Sequence, residues 1–323
     1  MSLRADELID RRRLRRKLTF WRVAALVVAA IAIGSAIWWS SRDALNMSAA
    51  HIARIKIEGT ITDNEELLKR IKDATESDAV KGVIIAVNSA GGTTAGGEAI
   101  FEAVRKLAQA KPTVTQVGTL AASAGYMIAS GSDFIVARQS SIIGSIGVLV
   151  QFPNVTGLLE KIGVTMDEVK SSPLKAEPSP FNPTTEEERA MLRRLIMDSY
   201  DWFVTLVTDR RPLDRAQVLA LADGSVFTGR QALDKKLIDA LGGEERAREW
   251  LTSKGVDKDL EVVEWKPKQS SAAFLLGSAG QAAARLLGYD MSGRGFLESI
   301  GADRIFLDGM LSLWHVENAA ARD

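Results

Sequence analysis

Three short stretches of this chain carry residues able to do hydrolytic chemistry. The first is Asn88-Ser89-Ala90-Gly91-Gly92, which runs on into Thr93-Thr94-Ala95-Gly96-Gly97. Glycines between a buried strand and a helix let backbone N–H groups approach an anion closely. The loop lacks the Gly-Lys-Ser/Thr ending of a Walker loop and the spacing of a dinucleotide fingerprint, so an oxyanion hole suits it better than a phosphate cradle. A plain tight turn is the competing reading. The second stretch is Ala121-Ala122-Ser123-Ala124-Gly125-Tyr126. Small residues around Ser123 would let a substrate backbone reach its hydroxyl, and at a helix start the N–H of Ala124 would face a developing oxyanion. Helix packing also explains such a run, and it is not the Gly-x-Ser-x-Gly elbow of the α/β-hydrolases.

A nucleophilic serine needs a base. The chain has two histidines, His51 and His315, and no cysteine, which excludes thiol nucleophiles, disulfides and cysteine-ligated zinc. His51 follows soon after an apolar stretch and His315 lies in an irregular tail, so both read as surface or packing residues. Lysine can replace histidine where removal from water lets it shed its proton near neutral pH. Lys175 sits in Pro173-Leu174-Lys175-Ala176-Glu177-Pro178-Ser179-Pro180-Phe181, a proline-stiffened segment able to hold a side chain in a cleft. A solvated surface lysine is the competing reading. Ser145, in Gly144-Ser145-Ile146-Gly147-Val148, is a candidate to orient the amine.

In order and spacing these pieces resemble the bacterial signal peptide peptidase A family, membrane-anchored serine–lysine peptidases of the ClpP/crotonase fold. The similarity runs from about Ile52 to Glu245. Asn88 to Gly92 is similar to the family's oxyanion loop, Ala121 to Tyr126 to its nucleophile segment, and Gly144 to Val148 to the segment whose serine hydrogen-bonds the lysine. Lys175, with Ser179-Pro180-Phe181 after it, is similar to the general base. Val226 to Ala232 and Leu237 to Gly242 resemble the closing strand and helix. Ala90 stands where the family usually has proline, and Ala124 where it usually has glycine.

The resemblance implies Ser123 as nucleophile, Lys175 as general base, Ser145 orienting Lys175, and an oxyanion hole from Gly91 or Gly92 together with Ala124. It implies no metal and no organic cofactor. It also implies remnant signal peptides and other short hydrophobic peptides as substrates, and a homo-oligomeric ring, an octamer, with active sites shared between neighbours. Two other readings stay open: a crotonase-type acyl-CoA enzyme, and a catalytically silent membrane scaffold of the same fold.

The elements that must position these residues alternate. Ile52 to Gly59 reads as a strand, Glu65 to Ala74 as a helix, and Val83 to Val87 as a strand that stops at Asn88. A helix from Ala95 to Ala110 follows, then strands at Thr113 to Val117 and Phe134 to Ala137. That alternation predicts an α/β domain with a largely parallel sheet covered on both faces. Pro173 to Pro183 must be extended loop. Thr184 and Thr185 before Glu186-Glu187-Glu188 predict the start of a long helix whose buried stripe is Leu192, Leu195, Ile196, Phe203, Val204 and Val207.

Lys plus Arg and Asp plus Glu both number 41 in the 323 residues, so the chain lacks the basic footprint of a general nucleic-acid binder. The charge is uneven at the start. Eight arginines and lysines in residues 1–22 precede an uncharged run, Val23 to Trp39, with aromatics at both ends. A stretch of this length and framing predicts a transmembrane signal anchor with its basic flank in the cytoplasm. Cleavage near Gly34-Ser35-Ala36 is the rival. The expected organisation is a cytoplasmic segment (1–22), an anchor (23–39), a linker (40–50), a peptidase domain (51–265) and a C-terminal tail (266–323). It places a single-pass protein in the bacterial cytoplasmic membrane, with the peptidase domain on the outer side.

Overall fold

The computed structural model describes residues 49–266 and 311–313, together with Phe20, Trp21, Val23, Ala24 and Val27. The chain divides into two units, Met1–His51 and Ile52–Asp323. In the first, Phe20, Trp21, Val23, Ala24 and Val27 are helical. The expected cytoplasmic segment, anchor and linker otherwise lie outside the described residues, apart from Ala49 and Ala50. So does the tail, apart from Lys266 and residues 311–313. Among the described residues, no helix is long and apolar enough to cross a membrane.

In the second unit β-branched runs become strands and stripes at helical spacing become helices. Strand β1 (His51–Ile61) leads to helix α1 (Glu65–Glu76), which is capped by the Asn64 side chain and buries Leu67, Ile71 and Ala74. Strand β2 (Val80–Thr93) leads directly into α2 (Thr94–Ala110), capped by Thr93 and burying Ile100, Val104 and Leu107. Strand β3 (Thr113–Ala122) ends at the short helix α3 (Ala124–Ala129). Then come β4 (Phe134–Ala137), β5 (Ile142–Gly144), α4 (Thr156–Ile162) and the long α5 (Glu186–Arg210). The described chain closes with α6 (Arg215–Leu219), β6 (Val226–Thr228), α7 (Gly229–Asp234), β7 (Ala240–Leu241), α8 (Glu244–Ser253), β8 (Val262–Glu264) and β9 (Leu311–Leu313).

The strands form one mixed sheet in the order β6-β5-β3-β2-β1-β8, with β4 joining β3 to β7 and β9 lying on β2. Pairings β1–β8, β2–β3, β3–β4, β3–β5 and β4–β7 are parallel, whereas β5–β6 and β2–β9 are antiparallel. The register of β2 on β3 slips in mid-strand: Val87 faces Val117, but Ser89 faces Ala121. Two extra residues of β3 are thus taken up at Gly118–Leu120. Asn88 Oδ1 accepts the N–H groups of Thr119 (3.2 Å) and Leu120 (3.3 Å) there. The bulge bends β3. Its first half pairs with β4 from Val114 to Gln116, and its last part pairs with β5 from Leu120 to Ala122.

Two expectations need correction. Strand β2 does not stop at Asn88; it continues through the glycines to Thr93. The stretch stays extended because Gly92 lies flat against β1, where a Cβ would come within 1.8 Å of the Ile61 carbonyl oxygen. The second correction is to the stripe on α5. Phe203, Val204 and Val207 are buried, and Leu206 with them, but Leu195 is exposed and Leu192 and Ile196 are only half-buried. Only the C-terminal half of α5 packs on the core. Phe203→Ala should therefore cost about 3–5 kcal/mol of stability, and Leu195→Ala less than ~0.5 kcal/mol in the dispersed chain; urea unfolding of the two variants checks the contrast.

Candidate active site

Ser123 follows the last residue of β3 and is the N-cap residue of α3, with φ 57° and ψ −122°. A non-glycine residue in this region is strained, by about 1–3 kcal/mol. The strain comes from a sharp strand-to-helix turn whose two sides are both fixed. On one side the Ser123 N–H donates to the Gly144 carbonyl at 2.8 Å, extending the β3–β5 ladder. On the other, the Met127 N–H donates back to the Ser123 carbonyl at 2.9 Å and closes the first helical turn. Gly125 lets that turn sit on β2, since a Cβ there would be 2.8 Å from the Ser89 carbonyl oxygen. The Ser123 hydroxyl is not used to cap α3.

Of the six residues singled out in the sequence, Ser123, Ser145 and Ala124 share this neighbourhood. Ser145 follows Gly144, the residue that accepts from Ser123, and it too has a positive φ, 51°. Its own N–H donates to the Ser225 carbonyl at 2.7 Å, so β6 holds it in place. Ser123 and Ser145 are both buried. Ala124 opens α3, where the first backbone N–H groups have no partner within the helix. Gly92 lies on β2, the strand against which α3 packs. Gly91 differs: its N–H donates to Ser89 Oγ at 3.1 Å, and that hydroxyl donates to the Gly59 carbonyl at 2.6 Å.

Lys175 lies elsewhere. It is exposed, on a turn in a segment whose polar contacts are internal. The Val155 N–H donates to the Pro180 carbonyl at 2.9 Å and Asn182 Nδ2 to Glu168 Oε1 at 3.1 Å. Lys170 Nζ bridges Glu168 (2.6 Å) and Glu177. Glu177 also accepts the Ser179 N–H at 2.5 Å, so one carboxylate shapes the turn that displays Lys175. The Lys175 ammonium has no hydrogen-bond or ion-pair partner among the described residues. His51 is a packing residue: it is buried, with Nδ1 2.8 Å from the Ala49 carbonyl. His315 lies outside the described residues.

Sequence reasoning passed over the polar network behind α3. Arg211 binds both oxygens of Asp239 at 2.9 Å, and the Tyr126 hydroxyl donates to the Leu237 carbonyl at 2.8 Å. Burial pushes the Tyr126 phenol up to about 12, against the pull of Arg211. Burial opposes the Arg211 charge as well, yet Tyr126 and Asp239 together hold its pKa above the ordinary arginine range. The available signal was Asp209-Arg210-Arg211, three adjacent charges that follow the apolar Phe203 to Val207 turn after Thr208.

A sheet that delivers a strained serine to a helix N-terminus can present a hydroxyl and backbone N–H donors to one carbonyl, and the mixed α/β sheet that does so fits the ClpP-like fold. Residues 105–257 match the model for peptidase family S49, and residues 44–141 match the model for Clp protease. The chain is 38% identical over 219 residues to a "Putative protease" of Synechocystis, covering 66% of this chain and 79% of that one. It is 36% identical over 229 residues to the "Putative signal peptide peptidase SppA" of Enterococcus faecium, covering 67% of each. Against "Protease 4" of Haemophilus influenzae it is 34% identical over 229 residues, 66% of this chain and 37% of that protein. The chain belongs to peptidase family S49.

The turn under Lys175 carries a pH dependence. The Lys170 ammonium, and after it the Ser179 N–H, hold the Glu177 carboxyl below its usual range despite burial. A depressed folded-state pKa means the contribution is present above the unfolded value and is lost as pH falls through the folded one. Amide exchange at Ser179 should stay protected down to a pH below the ordinary glutamate value of about 4.3. Glu177→Ala, which leaves no acceptor for the Ser179 N–H, should remove that protection at every pH.

Proposed function

We propose that this serine peptidase is a membrane-anchored endopeptidase that works through a Ser123–Lys175 dyad on short hydrophobic peptides, including remnant signal peptides. The observation that carries the reading is the Ser123 turn, strained, buried, and set at the start of α3 where it bonds to Gly144 next to Ser145. Strain of this kind persists only where the surroundings over-determine it, and it clusters at reacting residues. The "signal peptide peptidase" in the name of the Enterococcus faecium relative supports the substrate class. The uncharged Val23 to Trp39 run supports the anchor.

The chemistry follows from the groups present. Ser123 Oγ attacks the scissile carbonyl carbon while the Lys175 amine takes the hydroxyl proton. The oxyanion is held by the N–H groups of Ala124 and of Gly92, because the Gly91 N–H is engaged by Ser89. One such donor is worth about 2.7–4 kcal/mol of barrier. Collapse of the intermediate breaks the C–N bond, and the lysine returns the proton to the leaving amine. Water, deprotonated by the same lysine, then hydrolyses the Ser123 ester. Gly91 to Thr93 pair with the antiparallel β9, the pairing that an extended substrate strand would replace.

Assembly supplies what one chain lacks. Lys175 is exposed, whereas Ser123 is buried, and only removal from water makes lysine a base near neutral pH. Around Lys175 the surface shows Leu158, Ile162, Met166, Val169 and Phe181, and on α5 Leu195, all exposed. A second copy packed over this face would cover that apolar area and bring Lys175 to a neighbour's Ser123, in a closed ring of eight.

Ser123→Ala and Lys175→Ala should each abolish peptide cleavage, by about 10⁴-fold or more. Co-expressed and co-purified through two tags, the two inactive chains should regain part of the activity; mixed rings without recovery would show that each chain holds its own dyad. Alkaline phosphatase fused after Asp323 should be active in cells, and an inactive fusion beside an active cytoplasmic reporter would reverse the topology.

A further inference from the structure

Helix α3 is short and wholly buried, and a helix of its length does not hold itself in water. Its orientation comes from what grips its two ends. The Ser123 end is tied to β5 through Gly144. At the other end three consecutive carbonyls emerge, those of Ser130, Gly131 and Ser132, and two guanidinium groups take all three. Arg210 donates through Nε to Ser130 and through Nη2 to Ser132, each at 3.0 Å, and Arg105 Nη1 donates to Gly131 at 2.9 Å. Arg105 projects from α2 and Arg210 is the last residue of α5, so the grip comes from two separate elements.

The arrangement is costly for a merely structural cap. Burial, and then the charge of Arg105, push the Arg210 guanidinium below its usual range, and Asp133 offsets this only in part from 3.7 Å off Arg105. A glycine or a water molecule satisfies helix-terminal carbonyls without bringing two like charges together. A planar guanidinium adds direction: two donors in a fixed fork set the angle between the carbonyls they bridge.

We propose that Arg210, with Arg105, is a positioning residue for catalysis, clamping the far end of α3 so that Ser123 and the Ala124 N–H at its near end keep their places opposite Gly92. The clamp acts at a distance of one short helix, and α3 pivots on its Ser123 end when the clamp is lost. The inference rests on the assignment of Ser123 as nucleophile.

The test uses the full chain in its assembled form, with active sites counted by exhaustive fluorophosphonate labelling. Cleavage of a fluorogenic hydrophobic peptide is then expressed per labelled site. Arg210→Gln should lower kcat per site by about tenfold or more, the scale of a small misplacement of reacting groups, with KM within about twofold of wild type. Arg210→Lys, which keeps the charge but loses the fork, should recover only part of kcat. A structural role alone would lower the melting temperature and the number of labelled sites but leave kcat per site unchanged; that result overturns the proposal. Should Arg210→Gln fail to fold, Arg105→Gln removes one of the three bonds from a partly exposed side chain and must itself reduce kcat per site, and a wild-type value there overturns the proposal equally. Ser123→Ala separates the two ideas. Labelling that persists in it refutes the nucleophile assignment, whereas labelling lost in it beside an unchanged Arg210→Gln kcat refutes the clamp alone.

Discussion

One side-chain carbonyl holds the plan of the sheet together. Where β3 takes up two extra residues, the Thr119 and Leu120 N–H groups lose their place in the ladder, and Asn88 Oδ1 accepts both. The bulge lies at the surface, and Asn88 Oδ1 takes two amides that would otherwise turn to water, which fixes how the strand bends there. Because the bulge exists, β3 leaves β4 and joins β5, and Ser123 emerges beside Gly144 and Ser145. The remaining site geometry follows from that switch of partners.

Close packing of backbone on backbone then fixes the details. Gly92 against Ile61 and Gly125 against Ser89 leave no room for a side chain, so β1, β2 and α3 meet at main-chain distance. Such contacts leave few alternative arrangements, which is how a positive-φ serine can be maintained at a cost of about 1–3 kcal/mol. Behind α3, Arg211 and Asp239 form a bidentate ion pair and the Tyr126 hydroxyl donates to the Leu237 carbonyl. The strained turn is thus held from in front by the sheet and from behind by charge.

The segment between β5 and α5 obeys different physics. Its order comes from the Lys170, Glu168 and Glu177 contacts and from the Val155–Pro180 hydrogen bond, while Leu158, Ile162, Met166, Val169 and Phe181 are exposed. The apolar stripe on α5 continues past the edge of its own core to Leu195, which is exposed. The pattern on α5 shows the point well. Periodicity predicts one stripe from Leu192 to Val207, and among the described residues its second half is buried whereas Leu192 and Ile196 are half-buried and Leu195 is exposed.

The amino-acid sequence by itself determined much of this protein. The α/β alternation, the capping of α5 at Thr185, the neutral charge and the positions of Ser123, Ser145 and the glycine-bearing stretch were legible in it, because periodicity, caps and small-residue runs are local properties. Local patterns do not say which backbone lies against which. The continuation of β2 through its glycines, the bulge answered by Asn88, the engagement of the Gly91 N–H by Ser89, and the capture of Ser130, Gly131 and Ser132 by Arg210 and Arg105 were decided by tertiary structure alone. Each joins residues far apart in the chain or depends on such a join, because polar groups that leave a regular ladder find partners wherever the fold has put them.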